Sequence, residues 1–338
     1  QDTFAKKRFG RAAATLMLAE TIPWTVDKYV RHMDWANISM QTLQYNLKPA
    51  NWAWDDDGFT TNQFSHPYHG SLFFNAFRTN GYSFWQSSIA TFAGSYIWET
   101  VAETQAPAPN DFINTGFGGT IFGEMTYKIA NKITNNSSTG LKRQVSEVAA
   151  FIINPVTGFT RIIDGSWGRI AANTTARDST KIYTEFDIGI RRFKTVDDGE
   201  FGLYGRVKFM YGNPFENYKI PFSNMLINAE FGKDDSSTVN IVSIYGSLNG
   251  WQIRSNKKNK HFASLTANYD YIRNNAFFYS GQSVKLNLYS GFQLTRKLKL
   301  NTTIGGSVVV LAAVPDDYAY KGRYYDYCMG LGFNSGIS

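Results

Sequence analysis

The stretch Ile182–Arg191, reading IYTEFDIGIR, decides the fold of the C-terminal half. Ile182, Thr184, Phe186, Ile188 and Ile190 point one way, and Tyr183, Glu185, Asp187, Gly189 and Arg191 the other, because successive side chains of a strand alternate faces. The same grammar recurs outward from it, predicting strands near 181–194, 201–212, 222–232, 238–254, 261–273, 278–295, 298–314 and 323–334. On the second, Leu203, Val207, Phe209 and Tyr211 oppose Arg206 and Lys208. On the sixth, Val284, Leu286, Leu288, Phe292 and Leu294 oppose Lys285, Asn287 and Gln293. A half-buried soluble sheet, such as a β-sandwich, gives a similar alternation. Repetition, aromatic residues at strand ends and short turns such as Thr295–Lys297 favour an outer-membrane antiparallel β-barrel, apolar outside and polar inside. The chain stops at Ser338 without a terminal aromatic strand, so eight strands are expected as a minimum. Glu185, Asp187, Arg191, Arg206 and Lys208 either line a small-solute pore or pair and fill a small barrel.

Composition agrees with a chain that meets lipid through strands. Aromatic residues make up 16% of the 338 residues, enough for interfacial girdles. The mean hydropathy of −0.31 argues against a helical membrane protein, and no run reaches the roughly 18 apolar residues of a spanning helix. Cys328 stands alone, which excludes an intrachain disulfide and a cysteine metal cluster. The net charge of +7 suits anionic lipid headgroups or lipopolysaccharide. Nucleic acid is disfavoured, since Lys and Arg are scattered and no recognition motif accompanies them. Lys6–Lys7–Arg8 followed by Ala12–Ala19 imitates a signal peptide. The apolar core is short and runs into Glu20, so an amphipathic helix of the mature chain is expected, with any signal removed before Gln1.

The first 170 residues follow a different grammar. Arg8–Met33 is a candidate helix, interrupted near Pro23, which cannot donate an intrahelical bond. A Trp- and Asp-rich loop, Asn51–Asp57, follows. Further candidates are Ser71–Asn80, Ser83–Glu103, with Trp85, Ile89, Phe92 and Tyr96 on one stripe, and Asp111–Ile133, with Asn110 or Asp111 as N-cap. Gly119 and Gly123, and likewise Ala90 and Gly94, are spaced to let helix backbones approach. A linker is expected around Asn173–Thr180, dividing a helical module (1–170) from the strands (181–338). The expected fold class is therefore mainly β: a barrel of at least eight strands preceded by a helical module. Asp178–Ser179–Thr180 fits a short O-glycosylation pattern.

The unusual chemistry lies between 55 and 124, in NQFSHPYHGS (62–71), FRTNGYSFW (77–85), GSYIWETVAE (94–103) and NDFINTGFGGTIFGE (110–124). In the order and spacing of these stretches the chain resembles the DUF3943 family, uncharacterised bacterial proteins frequent in Bacteroidetes, over about 60–125. The family usually has a serine just ahead of Asn110–Asp111, where this chain has Ala108–Pro109. The resemblance implies an envelope protein of unassigned activity.

Two readings of these residues compete. In the first, Glu99, Glu103 and Glu124 pair with Arg78 or backbone amides and hold the helical layer together, with Asn110 in the same polar cluster. In the second, His66 or His69 is a base, Glu99, Glu103 or Asp111 orients it, and Ser71 or a water attacks a lipid ester. A metal is not expected. His66 and His69 are three apart, but Pro67 between them argues for a loop, and Asp55, Asp56 and Asp57 lack the spacing of a calcium loop. The Gly-rich stretch lacks the Gly-Lys-Ser/Thr ending of a phosphate loop, and no cofactor is called for. The leading expectation is a non-enzymatic structural or accessory protein of the bacterial outer membrane, touching outer-membrane lipid or other envelope proteins. A lipid-modifying hydrolase is the rival, and a pore comes third.

Overall fold

The computed structural model describes residues 6–169, 180–192, 201–214, 216–232, 237–253, 255–256, 258–274, 276–318 and 322–337. The chain divides into two compact units, Gln1–Ser179 and Thr180–Ser338. Most of the expected linker and two residues of the glycosylation pattern lie outside the described residues.

The first unit is helical: α1 (Phe9–Tyr29), α2 (Met40–Asn46), α3 (His66–Arg78), α4 (Phe84–Ile97), α5 (Pro109–Ile113), α6 (Gly119–Thr134), α7 (Gly140–Ile153) and α8 (Pro155–Ile163). Its core is aromatic and small at once, with Phe73, Phe74, Ala76 and Ile121 fully buried. Small residues set how closely the helices cross. A Cβ on Gly119 would lie 2.6 Å from the Gly70 backbone, so α3 and α6 meet glycine against glycine. No helix among the described residues is long and apolar enough to cross a membrane.

Three π-helical turns interrupt this unit: Thr61–Ser65 ahead of α3, Trp98–Ala102 after α4, and Asn114–Gly118 between α5 and α6. The first corrects the reading of Pro67. The sequence HPYHGS is helical, not a loop, with Pro67 in its first turn, where a missing N–H costs least. Pro23 likewise does not break α1, which runs unbroken past it. Asn110 and Asp111 are not N-caps. Pro109 occupies the first turn of α5 and Ala108 precedes it without a side-chain cap, leaving both polar side chains inside the unit.

The second unit is one antiparallel sheet of eight strands in sequence order: β1 (Ile182–Arg192), β2 (Phe201–Tyr211), β3 (Met225–Gly232), β4 (Val239–Gln252), β5 (Asn259–Arg273), β6 (Phe278–Gln293), β7 (Lys299–Pro315) and β8 (Tyr325–Ile337). Every expected strand appears, each end within two residues except the start of β3 and the end of β8, which differ by three. Directly paired residues share a face, so the register separates two surfaces. One carries apolar rows: Phe186, Val207, Ala229 and Val242 across β1–β4, and Ala267, Val284, Val308 and Leu331 across β5–β8. The other carries Glu185, Lys208, Asn228, Ser243 and Asp270, then Ser264, Asn287, Gly305 and Asn334.

Toward its first and last strands the burial on this sheet runs opposite to that of a soluble protein, while Ile244 and Tyr269 of the apolar face are buried in the middle strands. Ile188 is 84% exposed and Leu331 87%, while Ser247, Ser264, Thr266, Asn268 and Asn287 are buried on the polar face. Several charged residues there pair with one another or with amides. Glu185 forms an ion pair with Lys208 at 3.6 Å, Arg191 pairs with Glu230 and donates to Asn240 at 2.7 Å, and Arg206 donates to Asn228 at 3.4 Å.

Candidate functional site

The helical unit concentrates its buried polar chemistry where the three π-helical turns sit. A π-turn inserts one residue into a helix and swings the following side chains off their regular stripe, which is why such turns recur at functional sites. Here they carry or adjoin His66, Glu99 and Thr115.

His66 lies in a row with two other groups. Its Nδ1 is 3.2 Å from the Thr115 hydroxyl, and its Nε2 is 3.6 Å from Asp111 Oδ1. Asn110 Nδ2 donates to the same Asp111 oxygen at 2.7 Å, while Asn110 Oδ1 accepts the Asp55 N–H at 3.0 Å. Asp55 Oδ2 accepts from Asn62 Nδ2 and from the Asp57 N–H. Burial, and secondarily His69, push the His66 pKa down to about 4. Burial and the neighbouring Glu99 hold the Asp111 carboxyl well above the usual range. Burial thus favours the neutral imidazole at His66 and shifts Asp111 toward its un-ionised form.

His69 serves a different bond, and Pro23 explains it. A proline at position 23 has no N–H to give the carbonyl of Ala19, one turn earlier. That carbonyl is met instead by His69 Nε2 at 3.0 Å. Since a carbonyl only accepts, Nε2 carries the proton. The imidazole is wedged between Phe73 and Trp98, with ring centroids 4.5 and 4.6 Å away.

The remaining acids crowd the same region. Glu99 Oε2 accepts the Ala108 N–H at 2.9 Å, closing the start of α5 in place of a side-chain cap. Glu103 Oε1 accepts from Trp98 Nε1 at 2.5 Å, and its backbone carbonyl from Asn46 at 2.8 Å. Glu20 is 4% exposed, and neither of its carboxyl oxygens has a hydrogen-bond partner among the described residues. Burial and the nearby Glu103 raise Glu20 to about 9. Burial chiefly, with Asp55 and Asp57 adding, raises Glu103 to about 7 despite the Trp98 bond. Glu99 is also pushed well up, by burial and then by Glu103.

The other expected residues sit in separate arrangements. Ser71 donates its hydroxyl to Tyr68 O at 2.6 Å, a bond within its own helix. Arg78 makes a two-pronged pair with Glu124, at 2.7 and 3.2 Å, with its guanidinium 4.4 Å from the Tyr127 ring centroid. Lys128 approaches the same carboxylate at 3.8 Å. Sequence reasoning missed Thr115, because the stretch holding it was searched for glycines alone. It also missed Arg143–Glu147–Arg161, where Glu147 is fully buried between two guanidiniums at 2.7 Å. The spacing of Arg143 and Glu147, four apart, was the available signal. Among the described residues, no group of three His, Cys, Asp or Glu is arranged to hold a metal ion.

One family model, described as "Domain of unknown function (DUF3943)", matches residues 51–156, which hold the His66 row and the Arg78–Glu124 pair. Neither the curated proteins nor the solved structures give a significant match to the chain.

Proposed function

We propose, for a chain whose residues 51–156 form a DUF3943 domain, a non-enzymatic envelope protein. Its sheet lies in a bacterial outer membrane as the wall of a β-barrel, and its helical unit is a structural or accessory module. The observation that supports this is the inverted sheet: exposed Phe186, Ile188, Leu331 and Phe333 on one face, buried serines, threonines and asparagines on the other. Water would penalise such a surface at about 25 cal/mol per Å² of apolar area, whereas lipid favours it. In lipid, backbone groups at an open edge cost several kcal/mol each, so β1 and β8 must find partners there, which closes the barrel. The bonds that Glu99, Glu103 and Glu124 make to the Ala108 N–H, Trp98 and Arg78 inside the helical unit support a packing role over hydrolysis.

The test is a pair of arginine substitutions in the full chain. Ile188→Arg places a charge on the apolar face and should cost about 2–4 kcal/mol near the membrane midplane. Asn228→Arg, on the polar face, should cost much less. The reading fails if the unmodified chain is monodisperse and folded without detergent, or if the two variants are equally stable in bilayers. A hydrolase remains the second reading, favoured by the Thr115–His66–Asp111 row. Mass spectrometry of outer-membrane lipids from cells carrying Glu99→Gln decides it, since only an enzyme changes the lipid profile at normal protein abundance.

A further inference from the structure

The polar face of the sheet holds a cavity of about 330 Å³, the size of a small-molecule pocket, roughly 300–1,000 Å³. Its walls come from β2 through β8, so this face is concave. Three of its polar groups lack the partners that the charged row beside it has found. Lys285 extends into the cavity with its ammonium 5.5 Å from the Tyr245 ring centroid, and no carboxylate among the described residues pairs with it. Asn287, 3% exposed, makes no side-chain hydrogen bond among the described residues. The side-chain oxygen of Asn334 is buried and has no hydrogen-bond partner among the described residues.

Register explains why these amides meet. Asn287 pairs with Gly305, and Gly305 with Asn334, so two asparagines flank a residue without a side chain. An alanine Cβ at 305 would lie 2.2 Å from Asn287 Oδ1 and 2.7 Å from Asn334 Oδ1. The glycine thus lets two amide oxygens pack against its Cα at the cavity wall, beside an unpaired cation. A buried amide oxygen without a donor, as at Asn334, is a deficit that a ligand with a matching group removes.

We propose that this cavity binds a hydroxyl-bearing anion of monosaccharide size, a sugar acid or a sugar phosphate. Its charge pairs with Lys285, and neighbouring hydroxyls donate to Asn287 and Asn334 Oδ1 while accepting from their Nδ2 groups. The site is defined by the sheet alone and does not depend on what the helical unit does.

Isothermal titration of the full chain in detergent micelles tests this with galacturonate, glucose 6-phosphate, glucose and inorganic phosphate as probes. One or both hydroxylated anions should bind saturably, and which of them binds separates sugar acid from sugar phosphate. Glucose and inorganic phosphate should each bind at least about tenfold more weakly, a difference of about 1.4 kcal/mol. Lys285→Met, which keeps the aliphatic stem, and Gly305→Ala, which pushes both amide oxygens aside, should each weaken binding by at least the same factor. Lys285→Arg, which keeps the charge, should retain it, and unchanged melting of Lys285→Met shows that folding is not the cause. The proposal is overturned if neither anion saturates, if glucose or phosphate binds as well as they do, or if Lys285→Met or Gly305→Ala binds like the parent.

Discussion

Glu20 offers a direct test of how the helical unit tolerates its buried acids. Its folded-state pKa stands near 9 against an ordinary 4.5, raised first by burial and then by Glu103. A carboxyl raised in this way contributes its full stability below the unfolded value and loses it as pH climbs toward the folded one. At about 1.4 kcal/mol per unit, the span from 4.5 to pH 7 amounts to a loss on the order of 3 kcal/mol. Glu20→Gln is neutral throughout, so it should melt with the parent near pH 4.5 and outlast it at pH 7. At 2–4 °C per kcal/mol for a unit of this size, the gap is roughly 6–12 °C. It should widen as pH rises further. Tryptophan fluorescence suits the measurement, because every tryptophan except Trp251 precedes residue 180. His66 works in the opposite sense: its pKa is lowered to about 4, so its contribution is complete above 6.5 and fades as pH falls through 4. That effect is common to parent and variant and cancels in the difference. A gap independent of pH, or a variant less stable at every pH, would refute the account of Glu20 as an unpartnered acid.

Three further outcomes follow from the packing of the helical unit. Arg78→Met strands Glu124 in the core and should cost about 3–5 kcal/mol in chemical denaturation, much of it recovered in Arg78→Met/Glu124→Gln. Gly119→Ala drives a Cβ into the Gly70 backbone, and Gly123→Leu starts from a Cβ 2.5 Å from Phe74; overpacking of this kind costs about 1–3 kcal/mol, measurable as a lowered melting temperature. Pro23→Ala restores an N–H that competes for the Ala19 carbonyl, so the His69 ring should lose its partner, visible as a shifted Nε2 resonance; an unchanged resonance refutes the link between Pro23 and His69.

The strands were legible because a period of two survives in single residues: Phe186 and Asp187 announce their faces without help from the rest of the chain. The helical unit was less so. A π-turn has the composition of the helix it interrupts, so nothing in Asn114–Gly118 distinguishes it, and Thr115 stayed hidden beside Gly116. Pro67 misled for a related reason, since proline forbids a bond in a helix interior but not in its first turn. Asn110 and Asp111 have the residue types of a helix cap, yet Pro109 just ahead took the first-turn position and turned them into the core. α7 and α8 went unpredicted, although Arg143 and Glu147 stand at helical spacing. The convergence of Asn287 and Asn334 over Gly305 depends on register between distant strands, which no local pattern encodes.

The strict sequence order of the sheet has a consequence for how it can be made. Among the described residues each strand pairs its backbone with its predecessor and successor in sequence, so every stage of assembly presents the same kind of growing edge. Hairpins can therefore add one at a time, each closing a short loop, without waiting for a distant segment. Such a meander also tolerates change in its strand count by whole hairpins, because removing or duplicating a pair preserves which face every remaining side chain takes. The number of strands is then a property that lineage can vary, while the inside-out amphipathicity must persist in each hairpin separately.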